Sequence, residues 1–127
     1  MLSFLCRGCN GIASAVTRPA ACPICRDLRL ELQRSPEATA TFVSDPGHGW
    51  LVISRERFAA YGLKPAQITP YSFRSPDASE VALEEDCDAE VFLRAFEARH
   101  GIAPYIADRF ADPCPIRNWP QFGSRRC

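Results

Sequence analysis

The chain has 127 residues, 46% of them hydrophobic and 24% charged, a balance that excludes wholesale disorder and fits one domain, or one domain with a small appendage. Net charge is zero, yet residues 1–34 carry five arginines against Asp27 and Glu31, residues 35–100 are net −5, and residues 101–127 are net +2. So acidic a middle section repels a phosphate backbone, which confines any nucleic-acid contact to the two Arg-rich ends, and no run approaches the ~20 apolar residues of a membrane span.

The first element is a pair of Cys-x-x-Cys turns, Cys6-Arg7-Gly8-Cys9 and Cys22-Pro23-Ile24-Cys25. Each places two sulfurs on one side of a tight loop, and four such sulfurs complete a tetrahedron around Zn²⁺. Pro23 shapes the second turn. Gly8 and Gly11 permit close approach of backbone amides to sulfur, or a positive φ. Ile12–Pro19 has room for a short strand and its return. The spacing therefore predicts a small zinc ribbon of the rubredoxin-knuckle kind. An iron–sulfur cluster or a single iron also takes four cysteines. A thioredoxin-like redox pair needs only one Cys-x-x-Cys and a surrounding βαβ pattern, which is lacking. A segment under 30 residues cannot build its own core, so the metal's role is structural, and a closed four-thiolate set leaves no open position for substrate. The seven cysteines are odd in number and four have metal spacing. MLSFLC at the start is too short for a signal peptide and has no basic residue. Both points predict a reducing, cytoplasmic setting.

Residues 27–37 are charged and end in Ser35-Pro36; Leu28, Leu30 and Leu32 alternate with polar groups, which allows a short strand or a turn of helix, and the stretch is read as a connector. The first domain is thus placed at 1–34, a second at 35–112, and an irregular tail at 113–127. In the second domain, Thr39–Val43 is a strand ending at the turn Asp45-Pro46-Gly47, and Trp50–Ile53 is the next strand. Ser54 caps a helix that Gly62 ends. Leu63–Thr69 is a loop, Tyr71–Phe73 a strand, Ser75–Ser79 a hairpin connection, and Val81–Leu83 its return. A second helix follows, with Asp86 or Asp88 as cap and Ala89, Phe92, Leu93 and Phe96 as its buried face. Its first turn gathers Glu84, Glu85, Asp86, Asp88 and Glu90, where the helix dipole favours negative charge. Arg99, His100 and Gly101 close it, and Ala103–Ile106 is a last strand. The whole is an α+β chain: a zinc ribbon plus a small β-β-α-β-β-α-β domain. A core of that size is marginal alone, so docking or a homodimer would support it.

Three blocks carry a resemblance: Asp45-Pro46-Gly47-His48-Gly49-Trp50-Leu51, Ile68-Thr69-Pro70-Tyr71-Ser72-Phe73, and Leu83-Glu84-Glu85-Asp86-Cys87-Asp88-Ala89. With Ile116-Arg117-Asn118-Trp119, they resemble a group of small bacterial, phage and plasmid proteins sharing a DPGHGWL…YSY…YLEEDCDA pattern. The resemblance spans roughly residues 40–120. The group has no established activity, so the resemblance implies an accessory protein of a mobile element and no mechanism.

Candidate site residues follow. His48, between two glycines and near Asp45, is either a loop-borne ligand or base, or a turn residue bonded to backbone. Glu84, Glu85 and Asp86 are either cation ligands or helix-start acids. Cys87 is either a nucleophile for His48 or an inert thiol. Cys114 and Cys127 are read as incidental. Trp50 and the Trp119–Phe122 stretch, with Arg117, Arg125 and Arg126 nearby, either form a binding surface, since aromatics and arginine dominate such surfaces, or Trp50 is core and the tail packs down on it. The expectation is a non-enzymatic zinc protein that binds a larger protein complex, of the transcription or host-defence type, with an acidic face around Glu84–Glu90 as one means of contact. Two alternatives stand beside it. One is a nucleic-acid-binding regulator using Arg7, Arg18, Arg26, Arg29 and the tail arginines. The other is a metal-dependent hydrolase, which requires His48, Asp45 and the acidic cluster to converge.

Overall fold

A computed structural model describes residues 1–126; Cys127 lies outside the described residues. The chain is α+β and mostly strand, with two α-helices. Among the described residues no helix is long and apolar enough to cross a membrane. Two compact units form: residues 1–39 with 96–105, and residues 40–95 with 106–126. The ribbon thus extends to Thr39 and takes in Phe96–Tyr105, where the sequence reading set a boundary at 34 and kept 96–105 with the second domain.

The first unit holds a three-stranded antiparallel sheet of β1 (Leu2–Cys6), β2 (Ile12–Ala15) and β3 (Leu30–Leu32), in the order β2-β1-β3. Of the two forms open to the 27–37 connector, the strand is the one it takes. Leu30 pairs with Cys6 and Leu32 with Phe4, and both leucines are buried while Leu28 stays exposed. A period-two pattern with one buried face is a strand signature, and a partner strand was needed to use it. That partner, β1, buries Leu2, Phe4 and Cys6 on alternate positions. Residues 96–105 add side chains and polar links within this unit. Thr17 Oγ1 donates to the Arg99 carbonyl, Arg18 N to the His100 carbonyl, His100 Nδ1 to the Val16 carbonyl, and the Tyr105 hydroxyl to the Leu32 carbonyl.

In the second unit, the sheet order is β6-β7-β5-β4-β8, from β4 (Thr39–Ser44), β5 (Gly49–Ser54), β6 (Phe73–Arg74), β7 (Glu80–Glu84) and β8 (Tyr105–Phe110). Helix α1 (Arg55–Ala60) follows β5, with Ser54 Oγ accepting from Arg57 N at 3.0 Å. Helix α2 (Ala89–His100) begins in this unit, where it buries Ala89 and Phe92 and pairs Glu90 with Arg94 outside, and its last turns, with Phe96 and His100 buried, belong to the first unit.

Central β5 is buried on both faces. Leu51 and Ile53 face one way, aligned with Leu83 and Val81 of β7. Trp50 and Val52 face the other, aligned with Glu84 and Ala82. On that second face Trp50 and Ala82 form a core with Cys114 and Ile116 from the tail. The tail is therefore part of the core, and Cys114 is one of its packing residues. A short 3-10 turn at Pro115–Asn118 leads to a return along β6, where Arg74 N donates to the Pro120 carbonyl and Phe122 N to the Ser72 carbonyl. A Cβ on Gly123 would lie 2.1 Å from the Ile68 carbonyl oxygen, so only glycine permits this approach.

The strand read at Tyr71–Phe73 begins only at Phe73, and Pro65–Gln67 forms a 3-10 turn inside the loop read at 63–69. Tyr71 and Ser72 are kept out of the strand by side-chain bonds described below.

Candidate functional site

The clearest site is the cysteine set. Cys6 and Cys22 are buried, Cys9 and Cys25 exposed, and their four Sγ atoms lie within 4.8 Å of one another. Cys6 and Cys25 sulfurs are 3.5 Å apart, and those of Cys9 and Cys22 are 3.8 Å apart. A tetrahedron with metal–sulfur bonds of ~2.3 Å has edges of about 3.8 Å, so these separations fit one ion at the centre. They are far too long for disulfides.

The two turns are built alike. Cys6 Sγ accepts from Gly8 N at 3.3 Å, and Cys22 Sγ from Ile24 N at 3.4 Å. The Cys6 carbonyl accepts from Asn10 N, and the Cys22 carbonyl from Arg26 N, both at 2.9 Å. Asn10 and Arg26 each take a positive φ, 61° and 68°. The left-handed residue is thus the one after the second cysteine of each turn. Of the two roles open to Gly8 and Gly11, close approach to sulfur is the one they take, and the positive φ of their turn falls on Asn10. A Cβ on Gly8 would lie 2.6 Å from Asp27 Oδ2, and Gly11 N donates to Cys9 Sγ.

Crowding among the thiols splits the acidities of Cys22 and Cys25. N–H donors of Cys25 and Ile24 lower Cys22 to about 7. At Cys25 the Asp27 N–H acts downward but is outweighed by the neighbouring Cys6 thiol, by burial and by the other two thiols, which push it up to about 12. Like charges cannot all form together without a cation. A divalent ion at the centre removes that conflict, so the donor chemistry and the geometry agree.

In the second unit a cavity of about 400 Å³ opens beside Trp50. His48, Glu84, Asp86, Cys87 and Arg117 all line it, with Tyr71 and Phe73 as aromatic walls. All four sequence blocks singled out above meet at this one place. His48 and Trp50 rings are 6.0 Å apart, Trp50 and Phe73 rings 6.2 Å. Trp50 is 2% exposed, and its indole N–H is buried without a hydrogen-bond partner.

Asp45 shapes the turn that presents His48. Its Oδ1 accepts from Gly47 N and His48 N at 2.9 and 2.8 Å, and its carboxylate receives Arg117 Nε and, at 2.9 Å, Arg117 Nη2. The Arg117 hydrogen bonds, helped by those two amides and opposed by desolvation, hold Asp45 well below the usual carboxylate range. Arg117 also lies over the Trp50 ring, 5.7 Å from its centre. A cation read as partner-facing is thus paired inside its own unit.

The acidic run does not stay together as one face. Glu84 closes β7, and its Oε2 accepts from Asp86 N and Cys87 N at 3.0 and 2.9 Å. Glu85 and Asp86 are exposed. Asp88, read as a helix-start acid or cap, is fully buried: its carboxylate accepts from Thr69 N, Thr69 Oγ1 and Ser72 Oγ. Ser72 Oγ in turn accepts from Glu84 N at 2.9 Å. Asp88 therefore pins the Thr69–Ser72 segment, and with it the Tyr71 wall. Sequence reasoning missed this role. Its signal was the two small hydroxyl residues three apart, Thr69 and Ser72, which suit a buried acceptor better than a strand. Trp119 is half-buried and packs against the Trp50 core, with Arg117 two residues before it in the same turn.

Among the described residues, the four ribbon cysteines are the only group of three or more His, Cys, Asp or Glu side chains whose ligand atoms gather closely enough for a metal. Comparison of the chain with family models, with curated proteins and with solved structures gives no match.

Proposed function

We propose that this chain is a zinc protein without catalytic activity, which acts by docking its ribbon onto a larger protein complex. Cys6, Cys9, Cys22 and Cys25 would hold one Zn²⁺, a reading that the close spacing of the four sulfurs supports. Zinc there carries structure: it joins β1 to the second Cys-x-x-Cys turn in a unit too small to hold itself by burial.

One observation carries the docking reading. The ribbon exposes apolar side chains and pairs two of its arginines with carboxylates. Met1, Ile12, Val16, Ile24 and Leu28 are exposed, from 47% to 72%. Arg7 pairs with Glu31, Arg29 pairs with Asp27, and Arg18 Nη2 donates to the Leu30 carbonyl. Four thiolates on Zn²⁺ add a net −2. Such a surface offers apolar area to a protein and little free positive charge to a phosphate backbone. The nucleic-acid reading is accordingly the weaker one. A hydrolase reading gains from His48 and the acids sharing one cavity, but their ligand atoms do not gather as a metal site.

The resemblance to mobile-element proteins suggests a transcription or host-defence assembly as the target. The test is capture of partners from the source cell with the wild-type chain and with Ile24→Asp and Leu28→Asp. Both variants should keep one zinc per chain and lose the partner. Retention of the partner by both, or a partner recovered only as nuclease-sensitive material, would count against the proposal.

A further inference from the structure

We propose that the cavity beside Trp50 binds a guanidinium group, carried by a free arginine-like compound or by an arginine of a peptide. Every lining residue belongs to the second unit, so the proposal stands whether or not the ribbon holds zinc.

The size comes first. A cavity of about 400 Å³ lies at the small end of ligand sites, enough for one side chain or a compound of that size. Its walls are aromatic, and ring faces attract cations. One face of Trp50 already carries a guanidinium, that of Arg117. Tyr71 is 60% exposed at the rim and Phe73 is half-buried, so these two rings are left for an incoming group.

Charge then selects the ligand. Glu84 and Asp86 line the cavity as carboxylates. Arg117 is the one Lys or Arg in the lining, and Asp45 cancels its charge through two hydrogen bonds. Two carboxylates against one paired guanidinium leave the local balance negative, which repels anions and draws cations. A planar guanidinium suits this site better than an ammonium. It stacks on ring faces while its N–H fork meets carboxylate oxygens.

The site is also held in place before any ligand arrives. The Asp86 and Cys87 amides fix the Glu84 carboxylate. Asp88 fixes the segment that carries Tyr71. Preorganisation of this kind lowers the ordering cost of binding.

The test uses the full chain in its metal-bound form, followed by NMR at the Trp50 indole N–H and the Tyr71, Glu84 and Cys87 amides. Two probes distinguish the sources: L-arginine, and N-acetyl-arginine methylamide as a peptide mimic. N-acetyl-citrulline methylamide, the uncharged isostere, is the control. At least one arginine probe should bind tenfold or more tightly than the citrulline control, and the tighter of the two identifies the source. Asp86→Asn, an exposed change that leaves the fold intact, should weaken binding severalfold, as should Tyr71→Ala. Equal binding of the citrulline control, or no shift at these positions in tens of millimolar arginine probe, overturns the proposal.

Discussion

The guanidinium of Arg117 grips the carboxylate of Asp45 through two hydrogen bonds, although 72 residues separate them. The Asp45 side chain is 4% exposed and Arg117 is 45% exposed, so the pair sits at the margin of the core. It ties the tail to the β4–β5 turn and so places His48 at the cavity. Its pH signature has a definite sign. A carboxylate whose native pKa is depressed stabilises the fold fully above its unfolded value, near ~3.9, and loses that contribution as pH falls toward the native value. Asp77, lowered to about 2 mainly by the Ser75 hydroxyl, and then by the Ser79 amide and hydroxyl, acts in the same direction. The melting temperature should therefore hold above pH 4 and decline below it. Asp45→Asn should flatten part of that decline and lower the plateau, as read by thermal unfolding at several pH values.

Asp88 yields the largest expected effect of a single change. Asp88→Ala leaves the Thr69 amide, the Thr69 hydroxyl and the Ser72 hydroxyl without their acceptor in a buried place. Unsatisfied buried donors cost about 1–3 kcal/mol each, with some relief by relaxation, so a loss of about 3 kcal/mol or more is expected in urea unfolding. Asp88→Asn, which keeps one acceptor oxygen, should recover part of it.

Metal removal is expected to act on one unit. Chelation, or Cys9→Ser with Cys25→Ser, should collapse the NMR dispersion of residues 1–39 and 96–105, since structural zinc supplies ~10–16 kcal/mol that burial cannot replace there. Dispersion that survives stoichiometric metal loss would contradict the structural role.

Arg26 stands in the left-handed region at φ 68°, which costs a residue with a Cβ about 1–2 kcal/mol. Glycine avoids this but loses more backbone entropy on folding. Arg26→Gly should thus tighten metal binding by roughly 0.5–1 kcal/mol, or twofold to fivefold, in a competitive zinc titration.

Gly123→Ala tests the seating of the tail. The new methyl would meet the backbone at Ile68 and Thr69, which flexible side chains cannot relieve. A cost of about 1–3 kcal/mol is expected in urea unfolding, with shifts at Ser72 and Phe122, whose backbone bond lies beside it.

Local signals account for what was legible. Helix α2 announced itself through Ala89, Phe92, Phe96 and the closing Gly101, because a helix satisfies its backbone from within a few residues. The Asp45 turn and the Ser54 cap are equally local. Strand β3 was legible only as one possibility beside a turn of helix, because Leu30 and Leu32 become a strand only when Phe4 and Cys6 lie alongside. The tail was legible only as an alternative, packed down or free to bind: Cys114 and Ile116 show no period, and their burial depends on Trp50, more than sixty residues earlier.

The sequence by itself determined the metal donors and the types of most elements, since Cys-x-x-Cys spacing, caps and hydrophobic period act over a few bonds. Only the tertiary structure decided that Asp88 faces inward, that Arg117 is paired, and that His48, Glu84, Asp86 and Tyr71 share a cavity. Those relations join segments tens of residues apart, and pairing across such distances is set by packing, which leaves no mark in the local pattern of the chain.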